Sequence, residues 1–122
     1  MATTSAPAAL ALTHLNLDVR DLDVSERFYR DGLGLPVERR ETSLRVCTAE
    51  YLLVLNVGEP AVGGTFHFGF RVPTRDDVDA WAAHLRVANV RLLVEPHETG
   101  PVYVARIADP DAYEIEIYAE LK

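Results

Sequence analysis

Two histidines occupy matching places in two similar segments of this 122-residue chain, and a third segment is rich in carboxylates. His14 lies in the segment 13–19 and His67 in the segment 66–72, while residues 113–118 alternate glutamate with isoleucine. Imidazole and carboxylate groups are ligands that divalent first-row metals accept in proteins. The residue types and their placement therefore predict a small metal site.

The residues around His14 alternate as in a half-buried strand. His14, Asn16 and Asp18 fall on one face, and the apolar residues between them fall on the other. The same pattern, followed by a helical stretch and three more strands, occurs twice and predicts an α+β fold. In the first half, the predicted elements are a strand at 12–19, a helix near 24–31 and strands at 37–42, 44–48 and 51–57. In the second half, they are a strand at 65–72, a helix near 75–88 and strands at 91–95, 102–107 and 113–120.

The repeat predicts one domain, residues 1–122, made of two tandem βαβββ modules. Residues 1–11 are expected to be a flexible tail, 12–57 the first module, 58–64 a glycine- and proline-containing linker, and 65–120 the second module. In the first helix, Val24 and Phe28 are expected to share the inner face. In the second, Thr74 and Asp77 form a potential capping pair.

Charge and cysteine content exclude some function classes. The chain has 12 basic and 19 acidic side chains, a formal net charge of −7, and no basic stripe that would favour nucleic acid. The single cysteine, Cys47, suits a reducing compartment. The start of the chain lacks the basic residues of a signal peptide and an apolar run long enough for a membrane, so we expect a cytoplasmic protein.

Several short motifs of the repeat resemble those of the vicinal oxygen chelate superfamily. This superfamily includes glyoxalase I, bleomycin resistance proteins, fosfomycin resistance transferases and extradiol dioxygenases. The similar segments are 14–22, Phe-Tyr-Arg-Asp at 28–31, Leu-Gly-Leu at 33–35, and Asp-Pro-Asp at 109–111 leading to Glu116. The glycine that usually follows Asp-Pro-Asp is Ala112 here. The resemblance implies sheets that curl around a metal and ligand cavity.

The resemblance implies three metal ligands, His14, His67 and Glu116. Two neutral imidazoles and one carboxylate leave a divalent ion, whether Fe, Mn, Ni, Co or Zn, with open positions for two neighbouring substrate oxygens. The implied reaction is of the lyase, isomerase, dioxygenase or thiol transferase type, with Glu116 also counted as catalytic.

Three positions depart from known members. Val54 takes the place of the glutamate that glyoxalase I uses as a fourth ligand, which disfavours that activity. Val104 and Arg106 replace a His and a Tyr of extradiol dioxygenases, which disfavours a catechol dioxygenase. If the last hairpin is regular, Arg106 shares the face of Glu116 and suits an anionic substrate. One slip in register would turn Arg106 outward instead.

Two further polar residues are candidates. Asn16 lies on the face of His14 and could hydrogen-bond the substrate. His97 is expected in a loop that commonly covers the pocket in this superfamily, where it could act as a general acid or base, or simply be a surface histidine.

Two classes of function remain open. The first is a metal-dependent enzyme acting on a small oxygen-rich substrate. The second is a metal-free protein of the bleomycin resistance type, which sequesters an antibiotic in an acidic cleft. The linker permits the modules to pair within one chain or across two chains, and because the family often pairs them across two, a homodimer with shared sites is expected. In the version that the family suggests, His67 would enter the site formed by His14 and Glu116 of the partner.

Overall fold

A computed structural model describes residues 7–122 of the chain. Residues 1–6 of the predicted tail lie outside the described residues, and residues 7–13 are exposed and belong to no helix or strand. The strands are β1 (His14–Val19), β2 (Val37–Arg39), β3 (Ser43–Cys47), β4 (Leu52–Val57), β5 (His67–Arg71), β6 (Leu92–Thr99), β7 (Val102–Ala108) and β8 (Glu114–Glu120). The helices are α1 (Leu22–Glu26), which continues into a π-helical segment over Arg27–Gly32, and α2 (Arg75–Val87).

The two modules form two four-stranded sheets of identical design. The strand order is β1-β4-β3-β2 in the first sheet and β5-β8-β7-β6 in the second. In each sheet, the first strand of the module runs parallel to the last, and the other pairs are antiparallel. The predicted α+β fold of tandem βαβββ modules is confirmed, although the two sheets are not closed around a cavity in the described part of the chain.

The strand registers of the two modules also match. His14 lies opposite Leu52 as His67 lies opposite Glu114. Two residues further along, β4 presents Val54 and β8 presents Glu116. This agreement confirms that Val54 holds the place in the first module that Glu116 holds in the second.

The α2 helix begins as the sequence predicts. The Thr74 side chain accepts a hydrogen bond from the Asp77 N–H, and the Asp77 carboxylate accepts one from the Thr74 N–H. This capping box satisfies free backbone N–H groups of the first turn. The helix packs Val78, Ala82 and Leu85 against the second sheet.

The predicted inner face of the first helix is wrong at Val24, which is exposed. The buried residues are instead Leu22, Ser25 and Tyr29. Five residues of α-helix sample too little of the 3.6-residue period to fix a face from sequence. A π-helical turn follows, in which the Leu33 N–H donates to the Phe28 carbonyl. This wider turn changes which of the following residues face the core.

The apolar sides of both sheets and α1 share one core. It includes Leu17, Leu44 and Leu55 of the first module and Leu85 and Ile115 of the second. None of the helices within residues 7–122 is long and apolar enough to cross a membrane.

A buried hydrogen bond joins the two modules. The Tyr29 hydroxyl donates to Oδ2 of Asp109 at 2.7 Å, and the N–H groups of Asp111 and Tyr113 donate to Oδ1. Burial and the nearby Asp109 carboxylate raise the pKa of Tyr29 well above its usual value, so the phenol stays a donor. This pair fixes the π-helical segment of the first module to the β7–β8 turn of the second.

We expect Tyr29→Phe to lower the free energy of unfolding by about 1.5–3 kcal/mol, because it removes a buried hydrogen bond to a carboxylate. Chemical denaturation measures the effect. Tyr103→Phe is the matched control, since its hydroxyl donates to Asp79 over the same 2.7 Å but in solvent. That control should cost about 0.5 kcal/mol or less. Equal losses in the two variants would contradict the role given to Tyr29.

Ala112 has a left-handed backbone, with φ of 72°, in the turn that the Asp109 carbonyl closes by accepting from its N–H. A side chain is unfavourable there by about 1 kcal/mol, so we expect Ala112→Gly to raise the melting temperature. In the exposed interior of α2, Ala83→Gly should instead destabilise by about 0.5–1 kcal/mol. A decrease in stability for both variants would show that no strain is stored at Ala112.

Candidate metal centre

The ring of His67 is oriented by the backbone that precedes β5. Its Nδ1 lies 2.8 Å from the Thr65 carbonyl oxygen. A carbonyl oxygen only accepts, so Nδ1 carries a proton and Nε2 is the ring nitrogen that can bind a metal ion. Nε2 lies 3.6 Å from Oε2 of Glu116 on the adjacent strand β8.

This arrangement fits a metal ligand pair. A ligating histidine usually donates its other ring N–H to a carbonyl or carboxylate, as His67 does to Thr65. Two ligand atoms that each lie about 2.1 Å from one ion are separated by about 3.0–3.4 Å at angles of 90–109°. The observed 3.6 Å between Nε2 and Oε2 is close to that separation. His67 and Glu116 are therefore suited to hold a divalent ion together.

Arg106 lies on the predicted face. It is directly opposite Glu116 in the β7–β8 register, so the regular hairpin is confirmed. Its Nη2 donates to Glu116 Oε2 at 2.8 Å, and its Nη1 donates to Glu114 Oε1 at 3.3 Å. The hydrogen bond to Glu116 raises the pKa of Arg106, which stays charged. Arg106 therefore orients the carboxylate that faces His67.

Glu114 is the residue of this cluster that the sequence analysis missed. It precedes Glu116 by two residues and shares its face, and the register places it beside His67. Alternation along β8 was the signal that could have identified it.

Asn16 lies on the predicted face of β1, where its side-chain oxygen accepts a hydrogen bond from Asn56 at 3.3 Å. His97 does not lie in a loop, so that prediction is wrong: it is part of β6, opposite Val104. Its Nδ1 donates to the Glu95 carbonyl at 3.0 Å, and it makes no hydrogen bond with Glu116. The strand continues through Pro96, and the sequence does not indicate this because proline is depleted in strands.

A cleft of about 680 Å³ lies between the two modules. Phe70, Trp81 and Tyr118 line it from the second module, and Cys47 and Tyr51 line it from the first. Cys47 is half-buried. The cleft does not include His67 or Glu116.

A sequence model of the glyoxalase/bleomycin resistance protein/dioxygenase superfamily matches residues 11–117, which span both modules. The chain belongs to this superfamily. The predicted resemblance is thereby confirmed. A search of curated protein sequences finds no match.

Solved structures of the superfamily share the fold. A glyoxalase/bleomycin resistance protein/dioxygenase family enzyme from Burkholderia phytofirmans PsJN is 22% identical, with 89% of this chain and 98% of the other aligned at a TM-score of 0.79. Lactoylglutathione lyase from Agrobacterium tumefaciens is 22% identical over 93% and 96% of the two chains, with a TM-score of 0.78. A genomically encoded fosfomycin resistance protein from Listeria monocytogenes is 17% identical over 92% and 94%, also with a TM-score of 0.78.

His14 does not lie beside the other two predicted ligands within one chain. It lies on β1 of the first sheet, whereas His67 and Glu116 lie on neighbouring strands of the second. Among residues 7–122, no three His, Cys, Asp or Glu side chains are close enough to hold an ion. One chain thus presents two predicted ligands at one sheet and the third at the other.

This placement corrects the version of the dimer in which His67 joins Glu116 of the partner. His67 and Glu116 of the same chain already face each other at 3.6 Å because β5 and β8 are hydrogen-bonded neighbours. A shared site would need only His14 to come from the second protomer.

Proposed function

We propose that this chain is a metal-dependent enzyme that binds a small substrate through two adjacent oxygens. His67 and Glu116 of one protomer and His14 of a second would hold one divalent ion. When bound, the ion would supply Lewis-acid activation of the substrate oxygens, or redox chemistry if it is iron.

The pairing of His67 with Glu116 carries this proposal. The Nδ1 N–H of His67 donates to the Thr65 carbonyl, so Nε2 is the ring nitrogen that faces Oε2 of Glu116, at 3.6 Å. A divalent ion could bind both atoms, because imidazole nitrogen and carboxylate oxygen are ligands that such ions accept.

The position of His14 supports a homodimer. His14 is exposed and Glu116 is half-buried, and the two lie on different sheets. A two-fold pair of protomers would bring the first sheet of one against the second sheet of the other, which makes two equal sites.

Arg106 is proposed to bind an anionic group of the substrate with the guanidinium N–H groups that Glu114 and Glu116 leave free. Asn16 would hydrogen-bond the substrate from the opposite sheet. The role of His97 as a general acid or base stays a prediction. Its strand β6 is separated from β8 by β7.

We expect Arg106→Ala to lower kcat/KM for an anionic substrate about ten- to a hundredfold, the cost of losing one charged contact. The ion should still bind when it is supplied in excess, because arginine is not a ligand, although loss of the contact that orients Glu116 should lower the metal affinity by about 10- to 100-fold. Arg71→Ala is the control, since Arg71 pairs with Glu120 near the exposed end of the same sheet. A wild-type value of kcat/KM in Arg106→Ala would show that Arg106 does not bind the substrate.

A metal-free antibiotic-binding protein is the second candidate. Arg106 already neutralises the same oxygen, Oε2 of Glu116, that faces His67. The net charge of −7 also suits a cationic drug.

Elemental analysis of protein purified without added metal separates the two candidates. The enzyme proposal expects about one divalent ion per chain, removable by a chelator and restored by dialysis against the ion. Protein that is metal-free, and that takes up no Fe, Mn, Ni, Co or Zn on dialysis, would overturn the enzyme proposal and favour sequestration.

A further inference from the structure

Arg45 occupies in the first module the place that Arg106 occupies in the second. Arg106 on β7 lies opposite Glu116 on β8, and Arg45 on β3 lies opposite Val54 on β4. The repeat therefore keeps the arginine but replaces its carboxylate partner with an apolar side chain.

The charge of Arg45 has no partner among residues 7–122. Arg45 is half-buried, and it forms no ion pair or side-chain hydrogen bond within that part of the chain. The carboxylate nearest in register is Glu38 on β2, which accepts instead from Nε of Arg40 at 2.6 Å. The guanidinium N–H groups of Arg45 are therefore not occupied by a carboxylate of this part of the chain and are available to bind an anion.

Arg45 shares a sheet face with His14. The β1–β4 and β3–β4 registers place Asn16, Val54 and Arg45 in one row across the sheet, and His14 belongs to the next row. Strand β3 lies about 10 Å from β1, with β4 between them. Whichever protomer contributes His14 to a site therefore contributes Arg45 to the same side of that site.

We propose that Arg45 binds the anionic group, a carboxylate, phosphate or phosphonate, of the substrate. The guanidinium presents two parallel N–H groups that match the oxygens of these anions. Arg45 would make this contact from the sheet opposite Arg106, whose charge is shared with Glu114 and Glu116. The inference rests on the proposed function, since it places Arg45 at the site that His14 completes.

The test measures binding of inorganic phosphate by titration calorimetry at low ionic strength, on protein stripped of metal and on protein loaded with Zn²⁺. Arg45→Met removes the charge but keeps an unbranched apolar side chain. Arg91→Met is the matched control, because Arg91 is exposed, forms no ion pair within residues 7–122 and changes the net charge equally. Arg45→Lys keeps the charge and tests whether loss of binding reflects misfolding.

We expect Arg45→Met to weaken phosphate binding about ten- to a hundredfold. Arg91→Met should change it less than twofold, and Arg45→Lys should retain part of it. Equal affinity in wild type and Arg45→Met would overturn the proposal, as would wild-type protein that binds no phosphate. Dissociation of the dimer in Arg45→Met with phosphate affinity unchanged would overturn it too, by assigning Arg45 to the interface.

Failure of the metal proposal has a different signature. If the wild-type protein binds phosphate but no Zn²⁺, and Arg45→Met weakens the phosphate binding, the anion contact is supported and the metalloenzyme proposal is contradicted. Metal content that is equal in wild type and Arg45→Met supports the assignment of Arg45 to substrate rather than to the ion.

Discussion

Glu116→Ala is expected to abolish metal binding, with an affinity loss above the roughly 10- to 100-fold that removal of an outer partner causes. The variant leaves His67 without the carboxylate that faces it at 3.6 Å. Inductively coupled plasma analysis after dialysis against Zn²⁺ measures the loss. Glu116→Gln gives a second variant that preserves the size of the side chain and its contact with Arg106.

Glu120→Ala is the control for this experiment. Glu120 lies on the same strand and face as Glu116, but its carboxylate pairs with Arg71 at 3.0 Å. Its loss changes the net charge equally and should leave the metal content unchanged. Retention of metal in Glu116→Ala at the wild-type affinity would show that the site is misplaced.

A mixture of two metal-deficient variants is expected to regain metal. His14→Ala and Glu116→Ala should each bind none alone. In a mixed dimer, one site receives His14 from the Glu116 variant, and His67 and Glu116 from the His14 variant. Random exchange makes about half of the dimers mixed, so about a quarter of all sites should be restored.

The control mixture combines His67→Ala with Glu116→Ala. Because the structure places these two residues in the same half-site, no intact site forms in any mixed dimer, and no metal should return. Recovery of metal in this mixture would instead support the dimer in which His67 of one protomer joins Glu116 of the other. Absence of recovery in both mixtures, with exchange verified by mass spectrometry, would contradict a shared site.

The sequence predicted most of what depends on local alternation. The faces of β1 and β8 followed from the two-residue period, which also placed Arg106 beside Glu116 once the hairpin proved regular. The equivalence of Val54 and Glu116 followed from the repeat. These features need only neighbouring residues and one strand pairing.

Features that depend on longer-range packing were not predictable in the same way. The helix α1 is too short for its sequence to show the buried face, and Val24, predicted to face inward, is exposed whereas Tyr29 is buried. His97 lies in a strand because β6 extends past Pro96 along β7. The separation of His14 from His67 depends on how two whole sheets are arranged, and no local pattern encodes that arrangement.

Because the registers of the two modules match, one substitution would be enough to change the set of metal ligands proposed for this chain. His14 and Arg45 already stand in the first module where His67 and Arg106 stand in the second, whereas Leu52 and Val54 stand where the second module has Glu114 and Glu116. Val54→Glu would therefore give both half-sites the same three side chains. A pocket shared between protomers would then contain four potential ligands, the number that glyoxalase I uses. Duplication of a module thus lets evolution alter the number of metal ligands, and with it the chemistry, through one position and without remodelling the scaffold.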